Sequence, residues 1–116
     1  MKDHKCVKYI DGIWGIIEKD KPSQNNIQDY GILYQENDLK RTLDDLNTYL
    51  LGVEYCGCYV GRSIMIIREA VDIYVNVYNR TKKEYSVEAA LVILRKSLNI
   101  IIDTVLQVKE AYGKQK

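Results

Sequence analysis

The stretch that decides the fold runs from Val87 to Tyr112 and reads VEAALVILRKSLNIIIDTVLQVKEAY. Apolar side chains recur in it at alternating steps of four and three residues, at Val87, Leu91, Leu94, Leu98, Ile101, Val105, Val108 and Tyr112. This spacing places them in one stripe along a helix, as in a coiled coil. Because no charged residue interrupts the stripe, it has to pack against another apolar surface.

A second stripe with the same spacing lies upstream, between Leu39 and Tyr78. Its members are Leu39, Leu43, Leu46, Leu50, Val53, Gly57, Val60, Ile64, Ile67, Val71, Tyr74 and Tyr78. The phase continues through three glycines, which favours one long helix that is kinked near residues 57–61. The alternative is a turn within residues 56–61, which gives two shorter helices. Asn37 or Asp38 is predicted to cap this segment.

The phase slips between Tyr78 and Val87, so the chain is predicted to turn there. Thr81 and Glu84 have the spacing of a capping box, and Ser86 is another possible cap. The last helix is therefore predicted to start between residues 82 and 87 and to end near residues 112–113.

The two stripes predict a mainly α protein, either a long antiparallel helical hairpin or a three-helix bundle, that dimerises into a larger bundle. The upstream helix is longer than its partner, so its first turns need a cover from the N-terminal segment or from a second chain. The positions predicted to form the interface are Leu39, Leu43, Leu46, Leu50, Leu98, Ile101 and Val105.

Residues 1–37 have a different pattern from the helical domain at 38–116. Two short apolar runs flank Asp11 and Gly12, a pair typical of a two-residue β-hairpin turn, and we expect a small hairpin-like segment here. The helical alternative rests on the spacing of Cys6, Ile10, Ile13 and Ile17. Glycines inside so short a segment weaken it.

Size and charge set the class of protein. The chain has 116 residues and a formal charge of +1, so we expect one domain and no general affinity for nucleic acid or an anionic membrane. The sequence contains neither a secretory signal pattern nor a long apolar span, and its three cysteines fit reduced thiols, so a cytoplasmic location is expected.

Four potential metal ligands occur in two pairs. His4 lies two residues before Cys6, and Cys56 lies two residues before Cys58. Thiolate and imidazole groups are the ligands that zinc prefers, so these four could form a structural zinc site. The spacing is unusual for zinc, and burial of the cysteines as small apolar residues is the favoured interpretation, with no cofactor expected.

The function predicted from these patterns is that of a small non-enzymatic interaction protein, an adaptor, inhibitor or assembly subunit that binds another protein and itself through helical surfaces. With one histidine and no recognisable nucleophile and base, an enzyme is not expected. The alternative is a nucleic-acid-binding accessory protein that uses a basic aromatic turn at 78–85, with Arg80, Lys82, Lys83 and Tyr85 as its contacts.

Overall fold

The computed structural model describes residues 6–20 and 36–113, which form four α-helices. They are α1 (Val7–Asp20), α2 (Glu36–Leu50), α3 (Tyr59–Glu84) and α4 (Val87–Gly113). Helices α3 and α4 pack most extensively on each other, and α1 and α2 pack against both of them. The described ranges contain no strand. The mainly helical fold class predicted from the sequence is confirmed.

The predicted N-terminal β-hairpin is wrong, because residues 7–20 form helix α1. The residues that carried the helical alternative, Cys6, Ile10, Ile13 and Ile17, are all buried in the core. Gly12 lies within this helix rather than in a turn, and the Tyr49 side chain of α2 occupies the space where a Cβ atom of residue 12 would be. Tertiary packing therefore overrides the local turn signal of Asp11 and Gly12.

The favoured single helix over 38–80 is also wrong, because a loop separates one helix that ends at Leu50 from another that begins at Tyr59. The apolar phase survives the break because the connecting loop itself enters the core, where Val53 is buried. At the end of this loop the backbone carbonyl of Cys56 lies directly against Gly61, where there is no room for a Cβ atom. Gly61 therefore allows the close approach with which α3 begins.

The boundaries of α4 agree with the sequence prediction. The helix starts at Val87, and the hydroxyl of Ser86 accepts a hydrogen bond from the backbone N–H of Ala89 at 3.0 Å. Ser86 is therefore the N-cap. The proposed capping box at residues 81–84 is wrong, because these residues belong to the last turn of α3.

The two apolar stripes meet in one core to which all four helices contribute. Both long helices bury small residues, namely Ser63, Ala70, Ala90 and Ser97. Helix α1 is held on α4 by Lys109, whose ammonium lies 3.7 Å from the Asp11 carboxylate and 5.9 Å from the centre of the Trp14 ring. Within residues 6–20 and 36–113, no helix combines the length and apolar character needed to cross a bilayer.

Candidate functional site

The seven residues predicted to form an interface lie in the core of the single chain. Leu39, Leu43, Leu46, Leu50, Leu98, Ile101 and Val105 are all 0 to 1% exposed. Of the two covers considered for the first turns of the upstream helix, the N-terminal segment provides one, because the apolar side of α1 packs on α2. These positions therefore have no free surface to offer a partner, and a binding surface has to use other residues.

An open cleft lies where the end of α2 and the following loop face α3. Its volume is about 440 Å³, and it is lined by Leu50, Leu51, Val53, Tyr55, Met65, Arg68, Glu69 and Asp72. Leu50 and Val53 belong to the core, so they close the bottom of the cleft. Leu51 is 70% exposed and Met65 is 52% exposed, so the rim presents apolar side chains to solvent. Exposed apolar residues grouped in this way are typical of binding surfaces.

Two of the three charged residues that line the cleft form an ion pair with each other. Arg68 pairs with Asp72 at 3.4 Å, as the i,i+4 spacing of the sequence predicts. Within the described residues Glu69 takes part in no ion pair. A shallower depression continues along α3 from Glu69 and Asp72 past Ile73, Asn76 and Val77. The cleft therefore combines an apolar rim with a carboxylate that can accept a cation from a partner.

A hydrogen bond between two side chains joins α2 to α3. The hydroxyl of Tyr74 donates to the Asp44 carboxylate at 2.6 Å. Burial raises the pKa of Tyr74 well above the ordinary tyrosine value, and the hydrogen bond and the charge of Asp44 add to this effect. Asp44 lies thirty positions before Tyr74 in the sequence, and only the packing of α2 on α3 brings the two side chains together.

A second polar contact joins the start of α2 to the end of α3. The Tyr78 hydroxyl donates a hydrogen bond to the Glu36 carboxylate, and the Lys82 ammonium lies 3.0 Å from the same carboxylate. Lys40 and Lys82 both lie near the Tyr78 ring, at 5.6 and 5.8 Å from its centre. Lys82 is thus a structural residue whose charge is compensated within the chain.

The candidate nucleic-acid residues lie at the end of α3. Arg80 and Lys83 are exposed, and Tyr85 is 78% exposed, so these three can reach a ligand. Lys82 points instead to Glu36. Cations at the last turn of a helix also interact favourably with its dipole, which gives this group a structural role without any ligand.

The structure brings two of the candidate metal ligands together but joins them covalently. Cys6 and Cys56 form a disulfide, so the prediction that all three cysteines are reduced is wrong. Packing of α1 beside the start of α3 brings the two cysteines together. Because they are fifty residues apart in the sequence, their pairing could not be predicted from local patterns. Cys58 caps α3, where its sulfur accepts a hydrogen bond from the Gly61 N–H at 3.4 Å. His4 lies outside the described residues, and the described ones hold no cluster of metal ligands.

Comparisons with protein-family models, with curated proteins and with solved structures each find no match to this chain. The function therefore has to be inferred from the surface of the molecule itself.

Sequence reasoning missed the residues of the cleft rim. It followed the apolar positions that keep the heptad spacing, and these are the buried ones. Leu51 and Met65 each follow a heptad position directly, so they point away from the core. Apolar residues immediately beside a heptad position are the signal that could have found the rim.

Proposed function

We propose that the protein is a small non-enzymatic interaction protein whose main binding surface is the cleft between α2 and α3. The observation that carries this proposal is the exposed apolar rim, formed by Leu51, Tyr55 and Met65, around a bottom of core residues. Burial of exposed apolar side chains is the dominant favourable contribution to most protein association.

The occupant that fits the cleft best is an amphipathic helix of another protein with a lysine or arginine on its apolar side. The cleft is bordered by one long helix and continues along it, as grooves for amphipathic helices do. Glu69 supplies the negative charge that a cation on such a helix would meet. Adaptors, inhibitors and assembly subunits all act through contacts of this kind.

Site-specific photo-crosslinking tests the proposal. A photo-reactive amino acid is placed at Leu51 in the protein expressed in its own cells, and the adducts are identified by mass spectrometry. We expect one discrete protein adduct, which disappears when Met65→Asp is added. The partner so identified should bind the purified Leu51→Asp variant at least about tenfold more weakly, because the loss of one well-buried anchor costs more than about 1.4 kcal/mol.

Thr48 supplies the matched control, because it is exposed one turn before Leu51 but does not line the cleft. The same photo-reactive group at Thr48 should give no discrete adduct. Equal adducts from both positions, or none from Leu51, would contradict a binding role for the cleft.

The exposure of Arg80, Lys83 and Tyr85 favours a second candidate function, binding of single-stranded nucleic acid at the end of α3. Phosphate contacts release counterions, so affinity for an oligonucleotide should fall steeply with salt. Replacing Arg80 and Lys83 together by glutamine should abolish this binding while leaving the Lys82 contact with Glu36 in place. Unchanged binding by that variant, or binding that is insensitive to salt, would exclude this function.

A further inference from the structure

All three cysteines of the chain lie at one end of the molecule, where α1 and α3 begin. Cys6 directly precedes α1 and is joined to Cys56, and Cys58 is the N-cap of α3. Cys56 and Cys58 both contact Gly61. The backbone of Cys56 fills the space where a Cβ atom of residue 61 would be, and the Cys58 sulfur accepts the Gly61 N–H. A thiol therefore lies close to one of the two disulfide residues.

The two sulfurs of the disulfide differ in their accessibility. Cys6 is 0% exposed, whereas Cys56 and Cys58 are each partly exposed. Thiol–disulfide exchange begins when a thiolate attacks one sulfur of a disulfide and expels the other. Gly57, which separates Cys56 from Cys58, has no atom within 4 Å of its Cβ position, and a glycine gives the backbone the freedom to bring the two sulfurs together. Cys56 is therefore the sulfur that Cys58 can attack.

The surroundings of Cys58 favour the negative charge that its sulfur carries during such an attack. The first backbone N–H groups of a helix stabilise an anion, and the Cys58 sulfur already accepts one of them. Tyr112 of α4 adds a further donor, because its hydroxyl oxygen is buried and makes no hydrogen bond among the described residues. Burial raises the pKa of Tyr112, and Cys58 and Tyr59 add to this effect, so the hydroxyl stays protonated near Cys58.

The position of Cys6 also suits a leaving group. Its sulfur lies 3.9 Å from the backbone carbonyl oxygen of Glu54. A thiol is a weak hydrogen-bond donor, so a Cys6 thiol released from the disulfide would find an acceptor at this site.

We propose that the three cysteines form a thiol–disulfide exchange site in which Cys58 displaces Cys6 from Cys56. The Cys58 thiolate attacks the Cys56 sulfur, the bond between these two sulfurs forms, and the Cys6–Cys56 bond breaks. Cys6 leaves as a thiolate and takes up the proton that Cys58 lost. One thiol and one disulfide are present before and after the step, so no outside oxidant or reductant is consumed.

Exchange removes the covalent tie between α1 and the start of α3. Helix α1 is then held only by non-covalent contacts, which include the packing of its apolar side on α2. A disulfide that spans fifty residues restrains the chain far more than one that spans two, so α1 opens more often in the exchanged form. The exchange site thus controls how often the apolar side of α2 is uncovered.

Trapping of the released thiol tests the exchange. The oxidised protein is kept in mildly alkaline buffer without reductant, limiting iodoacetamide is added, and the labelled residues and disulfides are mapped by mass spectrometry after an acid quench. We expect a population with the label on Cys6 and a bond between Cys56 and Cys58, formed at a rate that does not depend on protein concentration. Unfolding alone cannot produce it, because Cys6 stays in its disulfide in the unfolded chain.

Two variants serve as matched controls. Cys58→Ser removes the attacking sulfur and keeps a good N-cap, so Cys6 should stay unlabelled. Cys58→Ser combined with Ser86→Cys moves the thiol to the N-cap of α4, at the far end of α3. This variant keeps one thiol at a helix N-terminus, and its Cys6 should also stay unlabelled.

Hydrogen exchange measures the release of α1 without any label on the chain. The amides of α1 should exchange at least about twofold faster in the wild type than in Cys58→Ser, because only the wild type reaches the exchanged form. The amides in the middle of α4 should exchange at the same rate in both proteins.

The inference is overturned if Cys6 of the wild type stays unlabelled, or if the label appears on Cys56 with a bond between Cys6 and Cys58. Equal labelling in the variant with its thiol at residue 86, or equal exchange of the α1 amides in wild type and Cys58→Ser, would also overturn it. None of these results bears on the cleft, which photo-crosslinking from Leu51 tests separately.

Discussion

At the scale of single residues, two helical glycines have opposite surroundings. The Cβ position of Gly15 in α1 has no atom within 4 Å, whereas that of Gly61 in α3 overlaps the backbone of Cys56. Helix propensity alone would favour alanine at both. The difference lies in what packs against them, and neighbouring sequence does not reveal it.

We expect Gly61→Ala to lower the free energy of unfolding by about 2 kcal/mol or more, because the added methyl group can be accommodated only by moving the loop backbone. Gly15→Ala is the matched control and should raise stability by about 0.5 to 1 kcal/mol, since an exposed helical glycine gains from the change. Urea denaturation measures both. A stabilising effect of Gly61→Ala would contradict the close approach of Cys56.

Tyr74 carries a prediction about pH. Its pKa in the folded protein is raised above the ordinary value of 10.0, mainly by burial and then by Asp44. A raised pKa in the folded state means that the unfolded state loses its proton first, so the contribution to stability is complete below pH 10.0 and is lost as the pH rises above it. We expect wild-type stability to decline above that pH more steeply than that of Tyr74→Phe.

The same variant isolates the hydrogen bond at neutral pH. Tyr74→Phe should cost about 1 kcal/mol there, because the hydroxyl that binds Asp44 is lost. Denaturation curves collected across the alkaline range measure both effects. Identical pH profiles for the two proteins would show that Tyr74 does not carry the alkaline loss.

At the scale of the helices, the loop at residues 51–58 determines the architecture. The loop follows the end of α2, and its Val53 side chain is buried in the core. Cys56 in the same loop lies close enough to Cys6 to form a disulfide with it. The disulfide therefore fastens α1 to the start of α3. Without it, α1 would be held on the other helices by its buried apolar side and by the contacts of Lys109.

Reduction of the disulfide should lower the free energy of unfolding by about 4 kcal/mol, the loss of chain entropy expected for a loop of this length. Cys6→Ser should have the same effect under oxidising conditions. Cys58→Ser is the control, because serine is a good N-cap and the residue is outside the disulfide. Denaturation with and without reductant measures the difference, and equal stability of the oxidised and reduced protein would contradict the role of this bond.

At the scale of the whole molecule, the structure separates apolar residues that hold the chain together from those that face solvent. Leu46 and Leu51 have the same side chain, but Leu46 is in the core and Leu51 is on the cleft rim. A mutation at each should therefore affect a different property.

Leu46→Ala should lower the free energy of unfolding by about 2 to 5 kcal/mol, because it leaves a cavity in the core. Leu51→Asp should change stability by no more than about 0.5 kcal/mol, as expected for an exposed position. Thermal or urea denaturation of the two variants distinguishes the roles. A large loss of stability in Leu51→Asp would mean that the rim is structural and would remove the cleft as a binding surface.

Much of the fold could be predicted from the sequence, because the heptad spacing of Val87–Tyr112 is a local property that specifies a helix and its buried side. The end of the turn at Ser86 was predictable for the same reason, since a cap acts within three residues. The exposed apolar rim of the cleft could not be predicted in this way. A stripe identifies residues that need a partner, but it does not distinguish a partner in the same chain from one in another.

The sequence by itself determined that the protein is mainly helical and which side of each long helix is apolar. Only the tertiary structure decided that α1 covers Leu39 to Leu50, that the helix ends at Leu50, and that Cys6 forms a disulfide with Cys56. These features depend on contacts between residues far apart in the chain, where packing outweighs local turn and helix signals. The same contacts leave the apolar rim of the cleft exposed to solvent.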